Sequence, residues 1–491
     1  MSSLSRRSFL QTTSALAGAS AISGMSVDQG LAAPAAIKPN LLFVLADQWR
    51  FSAFGHSTDE VIRTPHIDQL AEQGVTFERA FAANPVCTPN RSCLLTGRFS
   101  HQTGMINNDL MLPPREICWP ERFEQAGYAT HYVGKWHMDG QEKPGFVPPG
   151  WRRRGFQTFE GFNRGHVYHS HWGFDNDGQP LAQAVEHLPN PYYEPILQTD
   201  LAIRFMQQNL GQPFCCYLSW GPPHTPFKPP QKFNRYTPDQ IKLRPNVPAA
   251  HSRQAIQDLI GYYGLCESLD HQMGRLMTFL KETGLEENTL VVFTSDHGEL
   301  AGSHGKYRKG EPEEESLHVP LIMRRPGAIR AGLKSQTLFN SIDVMPTLLS
   351  LCRLDIPKSC SGRNLLEATT GVEVAVDSVY CEGKMTSAPD EETPRRRQSA
   401  AANAATWRTV VTEHHKLIVR SNWDNVEGLY DLQNDPFEME NLAGNPADRG
   451  TQADLMDELR RWALETEDPF PLRPESAQSL YSDAEAAAAR I

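Results

Sequence analysis

The sharpest chemical signal in the sequence is a cysteine that is followed four residues later by an arginine. Cys87 and Arg91 lie in the segment Val86-Cys-Thr-Pro-Asn-Arg-Ser-Cys-Leu-Leu-Thr-Gly-Arg98. A single cysteine beside a helix-starting proline is by default a buried packing residue. A cysteine can also provide a nucleophile, and a guanidinium near it would neutralise negative charge that develops during a reaction.

Other polar side chains stand where predicted strands end. The apolar runs 40–48, 130–136, 214–220 and 289–296 are typical of buried strands. The polar residues at or just beyond their ends are Asp47, Lys135 to His137, His224 and Asp296. Because ligands of open α/β sheets bind beyond the carboxyl ends of the strands, we expect these side chains to face one site.

The pattern Cys-x-Pro-x-Arg with its downstream Thr-Gly-Arg resembles the signature of type I sulfatases, a family within the alkaline-phosphatase superfamily. Further segments match this family in the same order along the chain, and together they span residues 39–445. They are Gly134-Lys-Trp-His-Met138, Gly221-Pro-Pro-His-Thr-Pro226, Thr294-Ser-Asp-His-Gly298, Gly302-Ser-His-Gly-Lys-Tyr-Arg-Lys-Gly310 and a C-terminal stretch, 429–442. Each segment alone is a weak signal, and their joint order makes the resemblance specific.

The resemblance implies a formylglycine nucleophile. In this family a maturation enzyme oxidises the motif cysteine, here Cys87, to formylglycine, whose hydrated aldehyde attacks sulfur and later expels sulfate. Arg91 would orient the diol and neutralise charge. Four further residues take the family's catalytic and substrate-contacting positions. By resemblance they are Lys135, His137, His224 and Lys309.

The expected metal site departs from the commonest pattern of the family. Many of these sulfatases hold one calcium ion with Asp-Asp at the first strand and Asp-Asn at the later one, whereas this chain has Asp47-Gln48 and Asp296-His297. Oxygen ligands suit Ca²⁺, and the imidazole nitrogen widens the choice to Mn²⁺ or another divalent ion. We therefore expect one divalent cation, Ca²⁺ first, at Asp47, Gln48, Cys87, Asp296 and His297.

Two alternatives remain open. The metal pattern resembles the branch that includes choline sulfatases and phosphonate monoester hydrolases, so a phosphonate monoester or phosphodiester hydrolase is the alternative to a carbohydrate sulfatase. A catalytically inactive glycan-binding relative is the alternative from another class. Such a relative would lack the nucleophile, Arg91 or both lysines, and this chain has all of them.

A large α/β domain is needed to hold these residues. The chain has 491 residues, 40% of them hydrophobic, and strand-like runs alternate with helical patterns near 65–75 and 254–283. We expect a mostly parallel central sheet between helices, followed by a smaller α+β domain with strands in 405–419 and 429–432 and a helix over 455–464. The predicted domains are a catalytic domain, 37–372, a C-terminal domain, 373–470, and a polar tail, 471–491.

The first 36 residues are typical of a targeting signal rather than of a folded domain. Ser5-Arg-Arg-Ser-Phe-Leu10 and the weakly apolar stretch after it match a twin-arginine export signal. This predicts a periplasmic or secreted protein that uses the twin-arginine translocase and is not embedded in a membrane. The net charge is −11 and basic residues are mixed with acidic ones along the chain, so the sequence does not predict the basic surface that binds nucleic acid.

Two features of the sequence have more than one interpretation. A dense polar and aromatic group either faces a sugar or forms a surface loop. Its members are Asn163, Arg164, His166, Tyr168, His169, His171 and Trp172. The chain has nine cysteines, an odd number, at least one of which must therefore be unpaired within the chain. A disulfide among the others is possible, but its pairing cannot be deduced. Cys215-Cys216 is interpreted as part of a buried strand.

Overall fold

The computed structural model describes residues 38–56, 61–170, 172–184, 193–384 and 406–470. The predicted signal, the polar tail and His171 therefore lie outside the described residues. The strands are β1 (Asn40–Asp47), β2 (Val75–Phe77), β3 (Ala80–Phe81), β4 (Ala129–Lys135), β5 (Thr158–Phe162), β6 (Phe214–Pro223), β7 (Thr289–Ser295), β8 (Leu321–Arg324), β9 (Leu333–Ser335), β10 (Phe339–Asn340), β11 (Val379–Lys384), β12 (Thr406–Val411), β13 (His415–Arg420) and β14 (Val426–Asp431). The helices are α1 (Pro65–Glu72), α2 (Cys87–Thr96), α3 (Ser100–Thr103), α4 (Trp119–Gln125), α5 (Leu181–Ala184), α6 (Glu194–Gln208), α7 (Ser252–Glu282), α8 (Glu314–Leu317), α9 (Val344–Leu351) and α10 (Arg449–Glu465).

The central sheet has the strand order β5-β4-β6-β1-β7-β8-β2-β9. In this order, the first five strands (β5, β4, β6, β1 and β7) are parallel to one another. The next strand, β8, is antiparallel to both β7 and β2. Because β4, β6, β1 and β7 lie side by side and run in one direction, their carboxyl ends meet at a single edge of the sheet.

Both faces of this sheet are covered by helices, which explains why its strands are apolar without alternation. Leu41, Phe43 and Leu45 of β1 face a core formed with α2, α4 and α9. The alternate residues Leu42 and Val44 face a second core, formed with α1, α6 and α7. The predicted layered α/β fold with a mostly parallel sheet is confirmed.

The smaller sheet is antiparallel, in the order β11-β12-β13-β14, and α10 packs on it. Its buried residues, among them Tyr380 and Leu417, join one apolar cluster with Cys93 of α2 and with Phe99. The predicted C-terminal α+β domain is confirmed as an architecture. Its helix begins at Arg449, six residues before the predicted start. The prediction missed the beginning of this helix because the first turn is polar and carries no apolar pattern.

The cysteines contribute packing rather than cross-links. All nine are free thiols in the described part of the chain, and Cys215 and Cys216 are buried in β6, as the sequence predicts. Within the described ranges, no helix combines the length and the apolar character needed to cross a membrane.

Candidate active site

The site lies at the carboxyl edge of the central sheet, where four parallel strands deliver polar residues. β1 ends at Asp47 and β4 at Lys135, while Asp296 and His297 follow directly after β7. β6 continues to Pro223, so that His224 is the next residue. The sequence prediction that these strand ends share one location is therefore met by the geometry.

Cys87 is the first residue of α2 and lies under the same edge. Val86 before it is extended, with φ −137° and ψ 142°, and every residue of α2 is buried. The positive end of a helix dipole therefore lies at the thiol, and a partial positive charge there stabilises a negative group. Burial and Asp47 raise the pKa of this thiol, but Lys135, Lys309 and His297 outweigh them and lower it to about 7.

Four polar groups surround the sulfur of Cys87. Its Sγ lies 2.9 Å from Nζ of Lys309, 3.3 Å from Nε2 of His297, 3.6 Å from Nζ of Lys135 and 3.8 Å from Oδ1 of Asp47. Two cations, one imidazole and one carboxylate thus converge on a single atom. A nucleophile at this position would meet positive charge on two sides.

The predicted metal ligands form a compact buried group. One donor atom from each of Asp47, Cys87, Asp296 and His297 lies within 4.8 Å of the others. Nδ1 of His297 donates to the carbonyl of Gly298 at 3.0 Å, so Nε2 carries the lone pair that faces the carboxylates. Orientation of a ligand histidine by a backbone carbonyl is the usual arrangement at metal sites.

Gln48 belongs to this group because of an unusual backbone conformation. Its φ of 74° lies in the left-handed region, directly after β1. The backbone N–H then donates to Asp296 at 3.0 Å and the side-chain amide nitrogen donates to Glu299 at 2.5 Å. The side-chain oxygen of Gln48 is buried and has no hydrogen-bond partner among the described residues. A divalent cation would satisfy that oxygen, so the donor set fits a metal ion.

Arg91 connects the ligands to one another rather than reaching the thiol. Its Nε donates to Asp296 at 2.9 Å and its Nη2 to Asp47 at 3.1 Å. Nη1 donates to the carbonyl of Lys135 and to the hydroxyl of Ser219, both at 2.8 Å. Four of the five N–H donors of the guanidinium are thus used to fix the two carboxylates and the end of β4.

The two lysines differ in their surroundings. Lys135 is fully buried and its Nζ lies 2.5 Å from Oδ2 of Asp47, an ion pair shielded from solvent. Lys309 is only half-buried and precedes Gly310 in the loop after β7. Burial lowers the pKa of Lys309, but Cys87 and Asp47 outweigh burial and raise it above its ordinary value. The ammonium of Lys309 is therefore charged next to the thiol.

The two predicted histidines stand further from Cys87. Nε2 of His137 lies 3.3 Å from Asp109, which also pairs with Arg164 at 2.8 Å. Nδ1 of His224 lies 2.8 Å from the carbonyl of Thr225. Burial first, and then Lys135 for His137 and Lys309 for His224, hold the pKa of each imidazole well below its usual range. Both rings are therefore neutral at neutral pH.

His166 is a site residue that the sequence prediction did not place in the catalytic group. Its ring stacks on that of His224, with centroids 3.6 Å apart and planes 4° apart, and its Nε2 lies 3.2 Å from Nζ of Lys135. The only signal in the sequence was its membership of the polar and aromatic group between 163 and 172. Other members are structural: Asn163 and Tyr168 are buried and hydrogen-bond to backbone carbonyls.

Exposure shows where the site opens. Asp47, Lys135, Asp296 and His297 are completely buried and Arg91 is 1% exposed. By contrast, His166, His224 and Lys309 are all partly exposed. A ligand would therefore approach Cys87 from the side lined by these last three side chains.

Comparisons with known proteins agree on one family. The profile of the sulfatase family matches residues 39–354, and that of the C-terminal region of N-sulphoglucosamine sulphohydrolase matches residues 302–465. An ulvan-active sulfatase of Formosa agariphila is 32% identical over 452 residues, which cover 89% of this chain and 83% of the relative. An N-acetylglucosamine-6-O-sulfatase of Bacteroides thetaiotaomicron is 24% identical, with 88% of each chain covered.

One solved structure bears on the alternative activity. The phosphonate monoester hydrolase of Agrobacterium radiobacter superimposes with a TM-score of 0.72 at 22% identity, covering 87% of this chain and 96% of that one. At this identity the likeness concerns the fold alone. The same fold therefore carries enzymes for both kinds of ester.

Proposed function

The chain belongs to the sulfatase family and is a sulfuric ester hydrolase, and from this premise we propose that it removes sulfate from carbohydrates with a formylglycine made from Cys87 and one divalent cation. The observation that carries this proposal is the convergence of Lys309, Lys135, His297 and Asp47 on the sulfur of Cys87. These groups stand where a nucleophile, an anionic ester and a cation would have to meet.

The cation would be held by Asp47, Gln48, Asp296, His297 and the modified residue 87. The three oxygen-bearing side chains among the unmodified ligands favour Ca²⁺, and the nitrogen of His297 leaves Mn²⁺ as the second choice. When bound, the ion would supply positive charge that lessens the repulsion between a nucleophilic oxygen and an anionic ester. The unpaired side-chain oxygen of Gln48 supports its inclusion among the ligands.

The sulfur of Cys87 marks the position of the formylglycine side chain. Formylglycine would supply, as its hydrate, one hydroxyl for attack on sulfur and a second for the later release of sulfate. Four N–H groups of Arg91 already donate hydrogen bonds to Asp47, Asp296, the carbonyl of Lys135 and the hydroxyl of Ser219. The contribution of Arg91 to the reaction would therefore be to hold the two carboxylates in place. The family resemblance implies that Arg91 orients the diol and neutralises charge, and we propose that it does so through these two carboxylates beside residue 87.

The basic side chains would bind the sulfuryl group. Lys135 and Lys309 approach residue 87 from two sides, and Lys135 also forms an ion pair with the buried Asp47. A neutral His224 beside them can contact the ester oxygens as a hydrogen-bonding group without adding charge. His137 lies beyond this ring and is held by Asp109, so its contact would be with the part of the substrate near that carboxylate.

The carbohydrate substrate is supported by the names of two relatives, the ulvan-active sulfatase and the N-acetylglucosamine-6-O-sulfatase. Export by the twin-arginine translocase to the periplasm or beyond would place the enzyme where external polysaccharides are met. Because this route carries folded proteins, oxidation of Cys87 by the maturation enzyme would come before export. The protein would have no nucleic acid partner.

The alternative is a phosphonate monoester or phosphodiester hydrolase, which the shared fold of the phosphonate enzyme supports. A sulfuryl group has three small oxygens, whereas a phosphonate carries an additional carbon substituent on the central atom. Lys135 and Lys309 lie close to residue 87, so that extra substituent should cost at least one charge-assisted contact. Such a contact contributes about 1.5–3 kcal/mol, or roughly one to two orders of magnitude in rate.

Matched esters with one leaving group test the choice. The holoenzyme, produced together with a maturation enzyme and supplied with Ca²⁺, is assayed on 4-nitrophenyl sulfate, 4-nitrophenyl phenylphosphonate and a panel of sulfated oligosaccharides. We expect kcat/KM to be highest for a sulfated sugar and higher for the aryl sulfate than for the phosphonate. A clear preference for the phosphonate would move the enzyme to the alternative class.

A further inference from the structure

His166 contacts two residues of the proposed catalytic group without touching Cys87. Its Nε2 lies 3.2 Å from Nζ of Lys135 and its ring lies flat on the ring of His224. His166 reaches the site from the loop after β5, whereas Lys135 ends β4 and His224 follows β6. One side chain therefore connects groups delivered by two different strands.

The tautomer of His166 follows from its neighbours. The single hydroxyl hydrogen of Tyr168 is best directed to the carbonyl of His224, at 2.7 Å. The Tyr168 oxygen is then free to accept the Nδ1–H of His166 at 3.2 Å. An N–H at Nε2 would point at the ammonium of Lys135, so Nε2 carries a lone pair and accepts a hydrogen bond from that ammonium.

With this hydrogen bond, each of the three N–H donors of the Lys135 ammonium has a neighbour. An ammonium has three donors, and Nζ of Lys135 has three neighbours in reach: Asp47 at 2.5 Å, His166 at 3.2 Å and the sulfur of Cys87 at 3.6 Å. With two donors fixed by Asp47 and His166, the third is directed at residue 87. Without His166 the ammonium would lose one of its two fixed acceptors, and the Lys135 side chain could shift Nζ away from residue 87 while it keeps its contact with Asp47.

We propose that His166 is a positioning residue of the sulfatase reaction, which aims the Lys135 ammonium at residue 87 through Nε2 and holds the His224 ring by stacking. The inference rests on the proposed function, because it assigns His166 to the same site. Burial first, and then His224 and Lys135, hold the pKa of His166 well below its usual range, in keeping with a neutral acceptor. His166 does not exchange protons with the substrate; it acts through its two neighbours.

Two substitutions separate the hydrogen bond from the stacking. His166→Phe keeps a flat ring against His224 but has no acceptor for Lys135, and His166→Gln offers an amide oxygen for Lys135 but no ring. We expect His166→Phe to lower kcat for aryl sulfates about 10- to 100-fold, the value of one charge-assisted contact. His166→Gln should recover part of that loss. The loss should not depend on the basicity of the leaving phenol, because the ammonium is aimed at residue 87 and the sulfuryl group rather than at the departing oxygen.

His131→Phe is the matched control. His131 lies on the same strand as Lys135, stacks on Phe205 at 4.5 Å and contacts Glu160 and Thr158, away from Cys87. Like His166→Phe, this substitution exchanges a stacked histidine for phenylalanine, so it reports the general cost of that change. We expect its kcat to stay within threefold of the wild type and its leaving-group dependence to be unchanged.

A double-mutant cycle and a structure decide the inference. If His166 acts through Lys135, then His166→Phe in the Lys135→Ala background should lower kcat less than threefold. Full additivity of the two losses, or a crystal structure of His166→Phe in which Nζ of Lys135 keeps its place, would overturn the proposal. A wild-type holoenzyme that cleaves no sulfate ester would instead refute the proposed function, and the structural comparison would still decide the role of His166.

Discussion

Arg91→Lys is the substitution whose effect can be worked out most directly from the structure. The guanidinium donates to Asp47, Asp296, the carbonyl of Lys135 and the hydroxyl of Ser219, four hydrogen bonds at 2.8–3.1 Å. A lysine keeps the charge, but its ammonium is a single point on a shorter stem and cannot span both carboxylates and the end of β4. At least two of the four bonds are lost.

The size of the effect follows from these bonds. Arg91 is 1% exposed and both aspartates are completely buried, so water cannot replace the lost donors without opening the site. At about 1.5 kcal/mol for each charged hydrogen bond, two losses amount to about 3 kcal/mol. This corresponds to roughly two orders of magnitude, which we expect to divide between weaker cation binding and lower kcat/KM.

The assay measures both quantities on one preparation. Calcium affinity is obtained by calorimetric titration of the chelated protein, and kcat/KM on 4-nitrophenyl sulfate at saturating calcium. Arg363→Lys is the control, since Arg363 also forms a fork-shaped contact with a buried carboxylate, Asp343, at 2.7 and 3.3 Å. We expect Arg363→Lys to lower the melting temperature without changing calcium affinity. If Arg91→Lys binds calcium within twofold of the wild type and keeps kcat/KM within threefold, the structural role given to Arg91 is wrong.

Three further outcomes are expected. Chelation, or Asp47→Ala or Asp296→Ala, should abolish turnover while far-ultraviolet circular dichroism stays native, because these carboxylates hold the ion rather than the core; full activity of metal-free enzyme would contradict this. Protein made with a maturation enzyme should carry an aldehyde at Cys87, detected as a lighter, hydrazide-reactive peptide by mass spectrometry, and active enzyme containing only the thiol would rule the nucleophile out. Burial lowers the pKa of His101, but two carboxylates, Glu382 at 2.9 Å and Asp468, outweigh burial and raise this pKa above the unfolded value of about 6.5. The stabilisation from this group is therefore fully present below pH 6.5 and disappears as pH rises through the folded-state pKa, so His101→Gln should lower the melting temperature more at pH 6 than at pH 9, and an equal loss at both would contradict the assignment.

The sequence alone was sufficient for the fold class and for most of the site. Fully apolar runs such as 40–47 and 289–295 identify parallel strands that are buried on both faces, and polar residues at their ends predict one site at the carboxyl edge. Cys87 and Arg91 were identified by the resemblance of their motif to the sulfatase signature, and the structure places both in α2. These predictions depend on short-range pattern and on strand direction, which a sequence records well.

The tertiary structure decided which side chains within the site meet one another. His137 and His166 both follow sheet strands, yet His166, in the long loop after β5, contacts Lys135, whereas His137 contacts Asp109. Such a loop has no hydrophobic periodicity from which its path could be predicted. The direction of Arg91 was likewise hidden, since its partners come from strands more than 40 residues away along the chain. Contacts across such separations depend on the packed fold and leave no local pattern in the sequence.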